Sequence, residues 1–322
     1  MKNALILSLL AAASLLGACA TTHAIADDKQ SVLVTGASTG IGRNLTERLA
    51  REGYHVYAGA RKDKDLAALN AIDNVTAVRL DVTKQDQIDA AVAMITNSGT
   101  GLYGLVNNAG VAGGQGIVDS PIEDQSFVYA INVEGVYRVT QAFAPLVIAS
   151  KGRIVTTGSI AGTVSWAGGS AYSGSKHWIE AFTDALAAEM RPLGVSVSVV
   201  EPGNYKSNIR RSVVARNTDK LASAGGEITD DMKKAAEATT ARELSYKEPD
   251  EVSDAFMHAL FNEKPLLRYM VTPNAQEQRR TLSTKMRELV QLNQWDANSY
   301  NREQLIELLD EAMGASSEPA SE

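Results

Sequence analysis

The chain has 322 residues, 44% of them hydrophobic and 21% charged, which suits one large domain with an ordinary apolar core. A net charge of −7 argues against nucleic acid as a partner, because phosphate binding needs a basic face. A single cysteine excludes an internal disulfide, and four scattered histidines leave no spacing for a metal site.

The first segment has the three parts of a secretory signal. Lys2 supplies positive charge, residues 4–16 are a largely apolar run, and small residues follow. Thirteen helical residues span about 20 Å, too short for a bilayer of about 30 Å, so the run reads as a leader and not an anchor. Leu16-Gly17-Ala18-Cys19 resembles the bacterial lipobox, which implies a leader of residues 1–18 and acylation of Cys19. Ala24-Ile25-Ala26 offers a second cleavage site and a leader of residues 1–26. The expectation is an exported bacterial protein, periplasmic or membrane-attached through that lipid alone. A mis-assigned start would make it cytoplasmic. Incorporation of labelled palmitate, lost in Cys19→Ala, is the test; its absence from the intact chain would refute the lipid site.

From Ser31 apolar strands and helical stretches alternate, which implies a doubly wound parallel α/β sheet with helices on both faces. Strands are predicted at 31–35, 55–60, 75–80, 104–107, 153–157 and 195–200. Helical periodicity covers 41–51, 81–95, 127–148 and 170–190, the last stopped by Arg191-Pro192. Residues 204–245 are polar and alanine-rich, as expected of a flexible helical lid. A helix at 249–261 and a last strand at 267–271 complete a single domain over 31–273. A helical extension follows at 274–313, with Leu282, Met286, Leu289 and Val290 at helical spacing. Its final helix starts near Asn301, where Asn301 and Gln304 suit a capping box, and it is expected to bury Leu305, Leu308 and Leu309. Residues 314–322 read as disordered.

Glycines stand at Gly36, Gly40 and Gly42 directly after the first strand and at the opening of a helix. That placement suits a dinucleotide: Gly36 permits the turn, Gly40 admits the pyrophosphate, and Gly42 lets the helix lie close. The spacing Gly-x-x-x-Gly-x-Gly resembles that of the short-chain dehydrogenase/reductase family. Further motifs agree with it: Asn107-Asn108-Ala109-Gly110 after the fourth strand, Asp81-Val82 after the third, and Pro202, Gly203 and Ser207 after the sixth. The resemblance runs from about Ser31 to Pro273 and implies a Rossmann fold. It implies cofactor contacts from Gly36, Ser38, Thr39, Gly40, Ile41, Gly42, Asp81, Val82, Asn108, Ala109, Gly110, Tyr172, Lys176, Pro202, Gly203 and Ser207. Ala60 occupies the position where users of NAD carry an acid, and Arg61 follows. Arg61 can bind a 2′-phosphate bidentately, so NADP(H) is preferred, with NAD(H) the alternative.

Tyr172 and Lys176 are four apart in a helical stretch and share one face. Ser159 lies 13 positions before Tyr172, and Asn132 lies 27 before Ser159; both intervals match the family's active-site tetrad. Interconverting a carbonyl and an alcohol needs a proton donor and acceptor, and a free tyrosine with pKa of about 10 needs help near neutrality. Lys176 favours the phenolate of Tyr172, and Ser159 donates to the oxygen on which charge develops. The resemblance further implies that Lys176 holds the nicotinamide ribose and that Asn132 positions a relaying water. The lid and residues 164–169 are the expected substrate walls. There Trp166 and Tyr205 suit an apolar or aromatic carbonyl compound, whereas Lys206, Arg210 and Arg211 read as a solvated face. The family often forms dimers or tetramers through its long helices, so a homodimer or homotetramer is expected. Two other readings compete: a catalytically silent dinucleotide sensor, and an epimerase or dehydratase. The intact tetrad counts against the first, and the glycine spacing against the second.

Overall fold

The structure is a computed structural model that describes residues 30–113, 116–118, 120–295 and 297–315. The leader, Cys19 and the tail from residue 316 lie outside the described residues. Seven strands form one parallel sheet in the order β3-β2-β1-β4-β5-β6-β7. They are β1 (Ser31–Val34), β2 (His55–Ala60), β3 (Val75–Arg79), β4 (Gly104–Asn107), β5 (Arg153–Thr157), β6 (Ser196–Pro202) and β7 (Arg268–Val271). Helices α1 (Gly40–Arg51), α2 (Asp63–Asn70) and α3 (Gln85–Ser98) connect the first strands. Next come α4 (Ile122–Tyr129) and α5 (Val136–Ala149), joined by a π-helical turn at Ala130–Gly135, and then α6 (Ser170–Met190). After β6 follow α7 (Ile209–Ser223), α8 (Asp230–Leu244) and α9 (Asp250–Phe261); α10 (Ala275–Leu292) and α11 (Arg302–Ala315) come after β7.

The strands are apolar on both sides because both faces are covered. On β1, Leu33 points to a core with Ile88, Leu105, Phe143 and Ile154. Its neighbours Val32 and Val34 point to the other core, with Leu45, Leu49, Phe256 and Leu260. Each such fully buried side chain contributes about 1.5–3 kcal/mol. The sheet therefore fixes the carboxyl ends of β1, β4, β5 and β6 side by side. The strand order switches between β1 and β4, and the crevice beyond the strand ends at such a switch is where this fold class takes its ligands.

Four expectations change. The helix expected from residue 81 starts at Gln85, because the Asp81 carboxylate accepts from the Thr83 amide at 3.0 Å and hydroxyl at 2.7 Å, a local turn that competes with helix. Helix α2, with Leu69 its one buried residue, carried too little apolar periodicity to be read. The stretch 127–148 is helical but begins earlier, at Ile122, and is broken by the π turn. The capping box forms, with reciprocal bonds between Asn301 and Gln304 at 2.9 and 3.0 Å, yet Leu308 and Leu309 are exposed because no other element packs broadly on α11. No helix among the described residues is long and apolar enough to cross a membrane.

Candidate active site

The glycine loop lies against the loop after β4. Thr35 Oγ1 accepts from the amides of Asn108 and Ala109, both at 2.9 Å, and Asn108 Nδ2 donates to the carbonyls of Thr35 and Gly36. Gly36 has φ +66°, and a Cβ there would stand 2.8 Å from the Ala109 main chain. A Cβ at Gly42 would stand 2.5 Å from the Gly36 carbonyl oxygen. Both positions therefore reject any side chain. Helix α1 opens behind this loop with no side-chain cap from Thr39 and no acid in its first turn. Its first amides thus point at the crevice as an anion site, which fits a dinucleotide pyrophosphate. Ser38 and Ile41 flank the loop, and Ser207 reaches it from the lid, 3.2 Å from where a Gly40 Cβ would lie.

At the far end of the crevice Arg61 directly follows β2, is largely exposed, and stands 3.8 Å from Asp81. Burial pushes the Asp81 carboxyl up, but hydrogen bonds from Thr83 and the charges of Arg61 and Lys84 outweigh it and hold the group below its ordinary value. Val82 is buried in the core under Gly135. Pro202 ends β6, and the Gly203 amide donates to Val271. Asn204 is gripped by Glu277 of α10, whose Oε1 accepts from its amide at 2.7 Å and its side chain at 3.0 Å.

The four tetrad residues meet beside this crevice. Asn132 sits in the π turn, where the extra residue per turn re-aims its side chain. Its Oδ1 accepts from Val111 at 2.9 Å; its Nδ2 donates to the Val111 carbonyl and to Ser175 Oγ. It braces the loop that carries Gly110. Ser159 follows β5, accepts from the Ala161 amide at 3.1 Å, and faces the Tyr172 hydroxyl closely enough to favour its ionised form. Lys176 Nζ donates to the Thr157 carbonyl at 2.7 Å and stands 5.8 Å from the Tyr172 ring centre. Burial pushes Lys176 down to about 8, against the opposing charge of Glu180. Tyr172 departs from expectation: burial pushes its hydroxyl above the ordinary value, and the Ser159 hydroxyl and the Arg210 charge oppose this without reversing it.

The substrate walls need correction. Tyr205 is buried in the core and donates to Glu251 Oε2 at 2.6 Å, so it lines nothing, because the chain turns it inward after Gly203. Trp166 does stand at the site, half exposed and tilted 6.4 Å from the Tyr172 ring. Lys206 pairs with Glu248, and Arg211 with the buried Glu243. Arg210 pairs with neither and instead donates to Asn204 Oδ1 at 2.8 Å. The lid closes on α4 through Arg216, which lies over the Phe127 ring, and through a Lys220–Asp124 pair.

Sequence reasoning missed Glu180, Glu201, Glu243 and Glu277. Glu201 alone left a signal, a lone acid inside an otherwise apolar strand and directly before Pro202. Among the described residues no group of three or more His, Cys, Asp or Glu could hold a metal ion.

Comparison with known proteins gives one family. Residues 30–218 match the family described as short chain dehydrogenase. The chain is similar to the uncharacterized oxidoreductase YbbO of Escherichia coli (strain K12), 35% identical over 248 residues, 76% of this chain and 86% of that one. It is 33% identical to mitochondrial D-beta-hydroxybutyrate dehydrogenase of Bos taurus over 264 residues, 74% of this chain and 76% of that one. A solved actinorhodin polyketide ketoreductase with NADPH aligns with TM-score 0.64 and 28% identity, covering 76% of this chain and 96% of that one. A short chain dehydrogenase/reductase from Burkholderia phymatum in complex with NAD has the same fold, with TM-score 0.69 at 24% identity over 85% of this chain and 99% of that one.

Proposed function

The chain belongs to the short-chain dehydrogenase family, an oxidoreductase acting on CH–OH with a nicotinamide dinucleotide, and we propose that it is NADP(H)-linked and works through Tyr172 as general acid and base. The observation that carries this reading is the meeting of Ser159, Tyr172 and Lys176 beside the uncapped first turn of α1. When bound, the dinucleotide supplies or takes the hydride. The Tyr172 hydroxyl gives its proton to the forming alkoxide, or removes it in the reverse direction. Ser159 donates a hydrogen bond to the same oxygen and so favours the charge that develops there. Lys176, anchored on Thr157 and 5.8 Å from the Tyr172 ring centre, is placed to favour the phenolate when it carries its proton. Ser159 and the Arg210 charge oppose the burial that holds Tyr172 protonated. The Asn132 side chain, engaged with Val111 and Ser175, holds the loop that carries Gly110 against the helix bearing Tyr172 and Lys176.

Arg61 supports the phosphorylated dinucleotide. Its ion pair with Asp81 is long and its guanidinium is open to solvent, which leaves the bidentate face free for a 2′-phosphate. Trp166 beside Tyr172 supports an apolar or aromatic carbonyl substrate. One experiment tests acid–base role and cofactor together: Tyr172→Phe should lose carbonyl-dependent NADPH oxidation while still binding NADPH more tightly than NADH. Full turnover in that variant would refute the role of Tyr172, and tighter NADH binding would refute the role of Arg61. Binding of NADPH by the unaltered chain with no turnover of any ketone, aldehyde or quinone would favour a silent sensor.

A further inference from the structure

Helix α10 carries its amphipathicity facing outward. Its covered face is polar: Glu277 holds the Asn204 turn, Thr281 is buried, and Thr284 and Glu288 are half-buried. These four positions are three or four apart and form one stripe. The apolar residues Leu282, Met286, Leu289 and Val290 lie on the opposite side, each about half exposed. Helix α11 covers little of itself either, for Ile306, Leu308, Leu309 and Met313 are exposed, and Trp295 in the intervening turn is 93% exposed. A lone soluble molecule rarely shows this much apolar surface on one segment. Among the described residues α10 and α11 share no broad contact, and the apolar residues of both stay exposed. Asn293 Nδ2 donates to the Tyr300 carbonyl at 2.8 Å, and the Tyr300 amide donates to Asn293 Oδ1 at 2.9 Å.

Charge says what fits them. Helix α10 carries Arg279, Arg280, Lys285 and Arg287 against two acids, Glu277 and Glu288, which lie on its covered side. Helix α11 carries Glu303, Glu307, Asp310 and Glu311 against one base, Arg302. An acidic α11 is repelled by an anionic lipid surface, whereas a basic apolar helix and an acidic apolar helix complement each other. We propose that this arm is an interface for a second copy of the chain: α10 of each copy packs on α11 of the other, and the two contacts close a two-fold pair.

Because family members also associate through other helices, mass alone is not the test, and cross-linking between the arms is. In a Cys19→Ser background, chains carrying Met286→Cys and Leu309→Cys are mixed and treated with a short bis-maleimide. An inter-chain product joining the two is expected. Arg279→Glu with Arg287→Glu on the first chain should cut that product about tenfold, equivalent to about 1.4 kcal/mol. Adding Asp310→Lys with Glu311→Lys to the second chain should restore it. Absence of the product, or a product indifferent to these charges, overturns the proposal. A linkage formed within one chain that carries both cysteines also overturns it, by showing that α11 closes on its own α10.

Discussion

Glu201 shows what a single side chain can do to the pH dependence of this fold. It lies on β6 with little exposure, beside Glu180 of α6, one of whose carboxylate oxygens is buried without a hydrogen-bond partner. Two carboxylates cannot share such a site unless one holds a proton. Burial first, and then the charge of Glu180, push Glu201 up to about 7. Arg268 of β7 and Lys285 of α10 pull the other way; Arg268 also binds Glu180 and Asp184, and Lys176 faces Glu180 from one turn before it. The folded chain therefore holds a proton that the unfolded chain releases near 4.5. The resulting stabilisation is complete below 4.5 and disappears as pH rises through about 7, at most about 3 kcal/mol. Glu201→Gln keeps the donor and removes the titration. The fall in Tm between pH 5 and pH 8 should thus be smaller in Glu201→Gln than in the parent; an equal fall would contradict the shared proton.

Among the elements, the lid helix α7 depends on a residue from its neighbour. Glu243 of α8 is buried and accepts from the amides of Arg210 and Arg211 at 2.8 and 3.1 Å, while Arg211 Nε balances its charge at 3.2 Å. It caps from a distance the first turn of α7, whose amides would otherwise lack partners. Glu243→Ala leaves these donors unpaired in a covered site and should cost about 2 kcal/mol locally. Amide exchange across Ile209–Ser223 should quicken while β4 and β5 keep their protection. Equal quickening in the sheet would show a global role instead. The π turn is the other element that matters to the site, since it turns Asn132 toward Val111 and Ser175 where a regular helix would place it differently. No periodicity rule reveals such a bulge, because every residue around it still reads as helix.

At the scale of the whole molecule, the doubly wound parallel sheet with helices on both faces was legible in the sequence, and the glycine loop and the four candidate catalytic residues could be named from it. Alternating apolar runs dictate strands covered on both faces, and a residue that must be glycine, tyrosine or lysine for its chemistry announces itself by type and spacing. Tertiary structure alone decided the rest. Glu201 meets Glu180, Glu243 caps α7, and Glu277 grips Asn204 only after the crossovers have brought distant segments together. Tyr205 and Trp166 look equally suited to a substrate wall, but the turn after Gly203 sends one into the core and leaves the other beside Tyr172. The pattern in α10 likewise announced an apolar stripe without its direction. Direction depends on what the neighbours offer, and here the domain offers Asn204 to Glu277, so the polar face turns inward and the apolar one is left for another partner.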